Sequence, residues 1–134
     1  MAQLNPETFT TFERAVMEKH LAGDHPVLAA LRCQLPNCAV SRRDFTGHGF
    51  FAHLDVGAGA LPVAKCRPRL VLSDVGATVP ELRLGAGFAL FIHDGLLSVL
   101  EGFTYGETWP AEVTRFSLFY TSGSERRVDR LELE

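Results

Sequence analysis

The residues best suited to chemistry in this chain are two acids and the aromatic side chains around them. Residues 101–110 read E-G-F-T-Y-G-E-T-W-P and include the only tryptophan of the chain. Aromatic side chains beside carboxylates are typical of recognition surfaces, because aromatic anchors carry much of the binding energy of an interface. The alternative is a loop that folds back, so that Trp109 closes the edge of a sheet. The sequence supports both interpretations about equally.

Charge marks out a longer candidate surface around this segment. No Lys or Arg occurs from Leu84 to Thr114, whereas four acids fall inside that range. An acidic surface can receive a basic protein partner, although solvated charge that keeps a chain soluble gives the same pattern. We predict a partner-binding surface made of six residues: Asp94, Glu101, Tyr105, Glu107, Trp109 and Glu112.

The competing hypothesis is a small enzyme or ligand-binding domain with a pocket between sheet and helices. It is built on four residues: Glu101, His53, Asp55 and His93. A carboxylate on an apolar face needs a partner or has a raised pKa, and a raised pKa suits a general acid. The alternative is that Glu101 faces water or pairs with Arg43 or Arg115.

Other catalytic and metal-binding patterns do not emerge from the sequence. It has no H-x-x-x-H or C-x-x-C pair and no G-x-S-x-G motif, which are signatures of zinc and serine-nucleophile sites. The glycines of Gly47-His48-Gly49 and Gly85-Ala86-Gly87 do not open a helix, as a phosphate-binding loop would. We therefore predict no metal and no cofactor, and we favour a protein without enzymatic activity.

A hairpin centred on Asp94-Gly95 is predicted to position the candidate residues. Asp-Gly between two apolar runs favours a type I′ turn, which requires positive φ at both central residues. Counting outwards pairs His93 with Leu96, Ile92 with Leu97, Leu90 with Val99, and Phe88 with Glu101. Both faces of this hairpin are apolar, so we expect it at the centre of the sheet, covered on both sides.

Two helices are predicted before the strands. Asn5-Pro6-Glu7 is a helix start, and apolar residues at helical spacing predict a helix over residues 6–22 that stops at Gly23. A second helix is predicted to begin at Asp24-His25-Pro26 and to end at Pro36. The pair should pack its apolar sides on a sheet.

Strand patterns occupy the rest of the chain. Alternation begins after Ala39 and is clearest over residues 50–56, and further strands are expected around residues 70–75 and 116–121. Residues 76–84 are predicted to be a loop before the hairpin. Helices followed by strands indicate an α+β fold, with two N-terminal helices packed on a mostly antiparallel sheet of five or six strands.

Composition bounds the class of protein. The chain has 134 residues, of which 46% are hydrophobic and 22% are charged, so we predict a single α+β domain over residues 1–134. The formal net charge of −3 argues against a nucleic-acid partner. Three cysteines without paired spacing, no membrane-spanning apolar run and no signal-peptide pattern lead us to expect a cytoplasmic protein.

One combination of motifs carries a resemblance. Residues 100–105 read L-E-G-F-T-Y and are followed by Trp109-Pro110, while D-F-T-G and G-F-F occur at residues 44–47 and 49–51. In these motifs the chain resembles a group of small, largely uncharacterised bacterial proteins. In type it is similar to the immunity proteins encoded beside bacterial toxins. This resemblance implies that the chain binds and neutralises a basic toxin domain.

The third hypothesis is a homodimer built on an exposed sheet edge.

Overall fold

A computed structural model describes residues 8–134, whose strands form one six-stranded antiparallel sheet. The helices are α1 (Thr11–His20), α2 (Pro26–Arg32) and two single-turn 3₁₀ helices, Leu35–Asn37 and Val128–Arg130. The strands are β1 (Ala39–Phe45), β2 (Gly49–Asp55), β3 (Arg69–Val79), β4 (Leu82–His93), β5 (Leu96–Thr104) and β6 (Ser117–Tyr120). Their order in the sheet is β1-β2-β5-β4-β3-β6. The predicted α+β fold, with its N-terminal helices on an antiparallel sheet, is confirmed.

Helix α1 begins later than the sequence pattern predicted. Thr10 caps it by accepting the N–H of Glu13 at 3.1 Å, and the Glu13 carboxylate accepts the N–H of Thr10 at 2.9 Å. This reciprocal capping box satisfies two backbone donors at once, which fixes the helix start at Thr11. The predicted cap at Asn5 lies outside the described residues. None of the helices within residues 8–134 is long and apolar enough to span a bilayer.

Helix α2 is shorter than predicted. It begins at Pro26, where the missing N–H costs no hydrogen bond, and the His25 ring accepts the N–H of Val27 at 3.1 Å. The helix ends at Arg32, and Pro36 lies inside the short 3₁₀ turn that follows. The proline therefore does not end the helix, which has already stopped one turn earlier.

The turn of the central hairpin is the one predicted. Asp94 and Gly95 both have positive φ, at 47° and 77°, as a type I′ turn requires. Nearby, Gln34 is buried and fastens this end of the hairpin, since its amide donates to the Gly95 carbonyl at 2.8 Å and accepts the Leu97 N–H at 3.0 Å. Strands β4 and β5 occupy the two central positions of the sheet.

The predicted register is correct only next to the turn. His93 faces Leu96 and Ile92 faces Leu97, but Phe91 then faces Val99. Ser98 is thus the extra residue of a β-bulge, and a bulge moves every later side chain to the opposite face. The observed pairs beyond it are Leu90 with Leu100, Ala89 with Glu101, and Phe88 with Gly102. The predicted pairs of Leu90 with Val99 and Phe88 with Glu101 are therefore wrong.

Residues 76–84, predicted as a loop, instead join two long strands. Strand β3 runs to Val79 and β4 starts at Leu82, so only Pro80 and Glu81 turn the chain. Buried Ala77 and Val79 continue the alternation of β3, but glycines and a proline in the same stretch suggest a loop. Strand β1 was also not assigned from the sequence, because an irregularity after Val40 interrupts its alternation.

The sheet has two unlike faces. The closed face points towards the helices, and its core residues include Val40, Phe50, Ala52, Leu70, Leu72, Val75, Ala77, Phe88, Leu90, Ile92, Leu97 and Leu100. The open face is formed by the residues that alternate with them: Phe51, Val71, Ala89, Phe91, Val99, Glu101, Phe103, Tyr105 and Phe119. The expectation that the hairpin is covered on both sides is therefore wrong.

Candidate functional site

The open face is a broad apolar surface built from five neighbouring strands, β2, β5, β4, β3 and β6. In its middle row Val71, Phe91 and Val99 lie side by side on β3, β4 and β5. Val71, Tyr105 and Phe119 expose 42%, 53% and 44% of their surface. No member of the open face belongs to, or packs against, the core cluster of the described residues. Contiguous apolar surface of this kind marks interaction sites on soluble proteins.

Two glycines on neighbouring strands allow aromatic rings to lie close to the backbone on the open face. Gly76 on β3 faces Gly87 on β4. A Cβ atom built on Gly76 would lie 2.7 Å from the Phe119 ring, and one on Gly87 would lie 2.6 Å from the Phe103 ring. The two rings therefore lie directly over bare backbone, an arrangement that replaces the missing glycine side chains. The Tyr105 ring packs edge-on against Phe103, with centroids 5.8 Å apart.

Glu101 lies among the apolar residues of the open face, whereas the other charged residues on this side, Arg42 and Asp44 on β1 and Arg69 on β3, lie at its border. Its neighbours across the strands are Phe51 on β2 and Ala89 on β4. The alternative of an ion pair with Arg43 is wrong, because Arg43 lies on the closed face and binds Glu13 with Nη2–Oε1 and Nε–Oε2 distances of 2.7 and 2.9 Å. Glu101 reaches its position because the bulge at Ser98 turns it away from the core.

A polar cluster borders the open face on β1 and β2. The Asp44 carboxylate lies 2.9 Å from the His53 ring and 3.2 Å from the Arg42 guanidinium. The hydrogen bond from His53, followed by the charge of Arg42, lowers the pKa of Asp44. The opposite charges of Arg42 and Asp44 therefore compensate each other within this polar cluster.

The six predicted contact residues occupy separate parts of the molecule. Glu101 and Tyr105 share the open face. Trp109 and Glu112 line a cleft on the helix side of the sheet. Asp94 lies in the hairpin turn, 3.2 Å from the ring of His93. The structure therefore brings together Glu101 and Tyr105, but it does not gather all six into one surface.

Glu107 fastens a loop to the sheet. Its two carboxylate oxygens accept the N–H groups of Arg83 and Leu84, each at 3.0 Å. These two backbone hydrogen bonds lower the pKa of Glu107. Its carbonyl also contacts the His48 ring at 3.0 Å. The carboxylate of Glu107 is thus already bound to the beginning of β4.

Trp109 lies between α1 and the closed face of the sheet, so its loop folds back as in the alternative interpretation, but the ring does not cover an edge strand. Its ring centroid lies 5.1 Å from that of Phe50 and 6.4 Å from those of Phe12 and Phe88. It also walls a cleft of about 630 Å³ between α1, the β1–β2 end and residues 109–116. The further aromatic lining of that cleft is Phe45 and Phe116.

The four residues of the enzyme hypothesis converge only in part: Asp55 and His93 line one cavity of about 390 Å³, which Glu101 and His53 do not line. His53 is on the same side of the sheet as Glu101, but it binds Asp44. The Asp55 carboxylate accepts the N–H of Gly57 at 2.8 Å, and His93 pairs with the turn. An active site made of these four is not formed. Within residues 8–134 no group of three or more His, Cys, Asp or Glu side chains could hold a metal ion.

The phenylalanines of the open face, unlike Tyr105, were missed as site residues. The signal was present, because Phe51 alternates with core residues on β2 and Phe91 does so on β4. Both faces looked equally apolar in the sequence, so nothing there showed which of them the helices cover. No protein-family model, no curated protein and no solved structure matches this chain.

The edge strands of the sheet are β1 and β6. β1 carries Arg42, Arg43 and Asp44 in succession and has a bulge after Val40. Charges and bulges on an edge strand discourage pairing with another chain. These features disfavour the homodimer through a sheet edge, which stays a prediction.

Proposed function

We propose that this chain is a protein-binding module that acts through the open face. The observation that carries the proposal is a partly exposed, aromatic sheet face with a carboxylate in its middle. Such a face offers flat rings for contact and one polar group for orientation, which is the anatomy of a protein interface. The closed face already completes the core, so the apolar residues opposite are not required to fill it.

A pair of matched phenylalanine substitutions tests the proposal. Phe91→Ser alters the open face, whereas Phe45→Ser alters an exposed ring at the rim of the cleft on the other side. The tagged wild-type chain and both variants are used to capture proteins from the lysate of the source cells. We expect one stoichiometric protein with wild type and Phe45→Ser, and its loss with Phe91→Ser. Equal capture by both variants, or none by wild type, would contradict the proposal.

A finer proposal concerns the kind of partner. In type, as a small acidic α+β chain, this protein is similar to bacterial immunity proteins, and that resemblance implies the neutralisation of a toxin domain. The test is to express the captured partner alone in a bacterial host. We expect growth arrest that is relieved when the wild-type chain is co-expressed but not when Phe91→Ser is. A harmless partner would remove the immunity proposal and leave the binding proposal standing.

The cleft beside Trp109 supports a second candidate function, the binding of a small apolar molecule. It has a volume of about 630 Å³, is walled by aromatic rings and has the buried Glu13–Arg43 pair at its inner side. Small-molecule sites are commonly apolar concavities of roughly 300–1,000 Å³. Trp109 is the only tryptophan, so its fluorescence reports on the cleft alone.

Titration with neutral aromatic fragments tests this second function. Saturable quenching of Trp109 that is weakened by Phe45→Ser would support a ligand site in the cleft. Fluorescence that stays unchanged throughout a fragment library would remove this candidate, whatever the outcome at the open face.

A further inference from the structure

Glu101 lies on the open face between apolar neighbours. Phe51 and Ala89 flank it across the strands, and Val99 and Phe103 flank it along β5. In the part of the chain that the structure describes, its carboxylate makes no hydrogen bond and no ion pair. The carboxylate is therefore partly exposed and, within residues 8–134, unpaired among apolar and aromatic neighbours, while the polar residues on the same side, His53 and Asp44, bind each other.

A partner that covers the open face must compensate the negative charge of Glu101. Removing water from an ionised carboxylate is strongly unfavourable unless a cation or hydrogen-bond donors replace it. Among the described residues on this side of the sheet, the two nearest basic groups are already engaged, because Arg42 and the His53 ring both bind Asp44, at 3.2 and 2.9 Å. In the register, Phe51 also separates Asp44 from Glu101. The compensating charge must therefore come from the partner.

A second copy of the chain does not provide that charge. In a two-fold symmetric dimer the same patch meets itself. If that patch is centred on Glu101, the two carboxylates approach each other, and like charges in a desolvated contact are unfavourable. The central position of Glu101 thus favours a different protein over self-association.

We propose, as an extension of the protein-binding function above, that the partner places one Lys or Arg side chain, flanked by apolar side chains, against Glu101. The rings of Phe103 and Phe119, which lie over Gly87 and Gly76, contact the apolar neighbours of that cation. The carboxylate sets the register of the partner on the sheet, because it is the position on the open face where a cation is stabilised.

A phage-displayed library of random peptides, selected on the folded chain, tests this inference without a known partner. The baits are the wild type, Glu101→Gln and Glu101→Lys. Glu18→Gln, on the exposed side of α1, is the matched control. We expect wild type and the control to enrich peptides with a Lys or Arg between apolar residues. Glu101→Lys should instead enrich Asp or Glu at the same place in the peptide.

The affinity of an enriched peptide gives the quantitative result. We expect Glu101→Gln to weaken binding by at least about tenfold, with Glu18→Gln unchanged, since the substitution removes one partner of a covered charge pair. Thermal melting of each variant verifies that it is folded. The acidic selection by Glu101→Lys keeps the test informative if the Gln variant loses stability.

The failures of the two proposals are distinguishable. Enrichment of purely apolar peptides, with equal affinity for wild type and Glu101→Gln, would overturn the cation inference while leaving the open face as a binding surface. Peptides that bind Phe91→Ser as well as wild type would overturn the protein-binding function itself. Self-association of wild type that Phe91→Ser abolishes would identify a second copy as the occupant, and the inference would be wrong.

Discussion

Phe88 and Phe91 lie three residues apart on the same strand, and they belong to opposite faces of the sheet. Phe88 is fully buried, with its ring 5.5 Å from that of Phe12 on α1. Phe91 faces away from the helices and is partly exposed. The same residue type on the same strand thus contributes to folding on one face and offers contact surface on the other. Stability and binding are therefore separable by the face on which a side chain lies.

Truncating the two phenylalanines tests this separation most strongly. We expect Phe88→Ala to lower the free energy of unfolding by about 3–5 kcal/mol, because it leaves a cavity beneath α1. Phe91→Ala should cost less than about 1.5 kcal/mol, since its site opens to solvent and water fills the space. Urea denaturation of both variants measures the difference. Equal losses would contradict the distinction between the faces.

Two glycines, Gly102 on the closed face and Gly87 on the open face, test the same difference between the faces. An alanine Cβ at Gly102 would lie 2.4 Å from the Phe50 ring, which Trp109 holds in place on the closed face. We expect Gly102→Ala to cost about 1–3 kcal/mol through overpacking. Gly87→Ala meets the ring of Phe103 on the open face, which can swing outwards, so its cost should stay below about 1 kcal/mol. Thermal melting of both variants measures these losses. A larger loss of stability in Gly87→Ala than in Gly102→Ala would contradict the account.

The buried His20 of α1, on the helix side of the sheet, predicts that the fold loses stability in acid. His20 is fully buried, and neither ring nitrogen has a hydrogen-bond partner among the described residues. Burial lowers its pKa from 6.5 to about 3, against the opposing charge of Asp74, and Arg126 lowers it further. The unfolded chain therefore binds a proton first. Stability present above pH 6.5 is lost as the pH falls towards 3.

Between pH 7 and pH 5 this loss should amount to about 2 kcal/mol. His20→Leu should flatten the dependence in that window, where the lowered carboxylate pKa values of Asp44 and Glu107 do not yet contribute. Denaturation at both pH values measures the slope. A slope retained in His20→Leu would contradict the assignment.

The smallest expected effect is on the open face. Glu101→Gln should change the free energy of unfolding by no more than about 0.5 kcal/mol, because within residues 8–134 the carboxylate has no hydrogen bond or ion pair to lose. Chemical denaturation against wild type measures it. A substantial destabilisation would show that Glu101 supports the fold, which contradicts its role in a surface kept for a partner.

The sequence predicts the parts of this fold that depend on local chemistry. Asp94-Gly95 specifies the turn, and the apolar spacing of residues 12–21 specifies the buried side of α1. The site depends on features that local patterns do not encode. The bulge at Ser98 decides which face Glu101 occupies, and only the packing of the helices decides which face stays open. A change of one residue in register therefore redefined the candidate site.

Carbene footprinting of the chain, alone and bound to its captured partner, tests the central claim most directly. Labelling reports which side chains lose access to solvent in the complex. We predict protection of Phe91, Phe103 and Phe119 on the open face, with unchanged labelling of Phe45 and residues 109–116. Protection of the cleft beside Trp109, with the open face still labelled, would contradict the account.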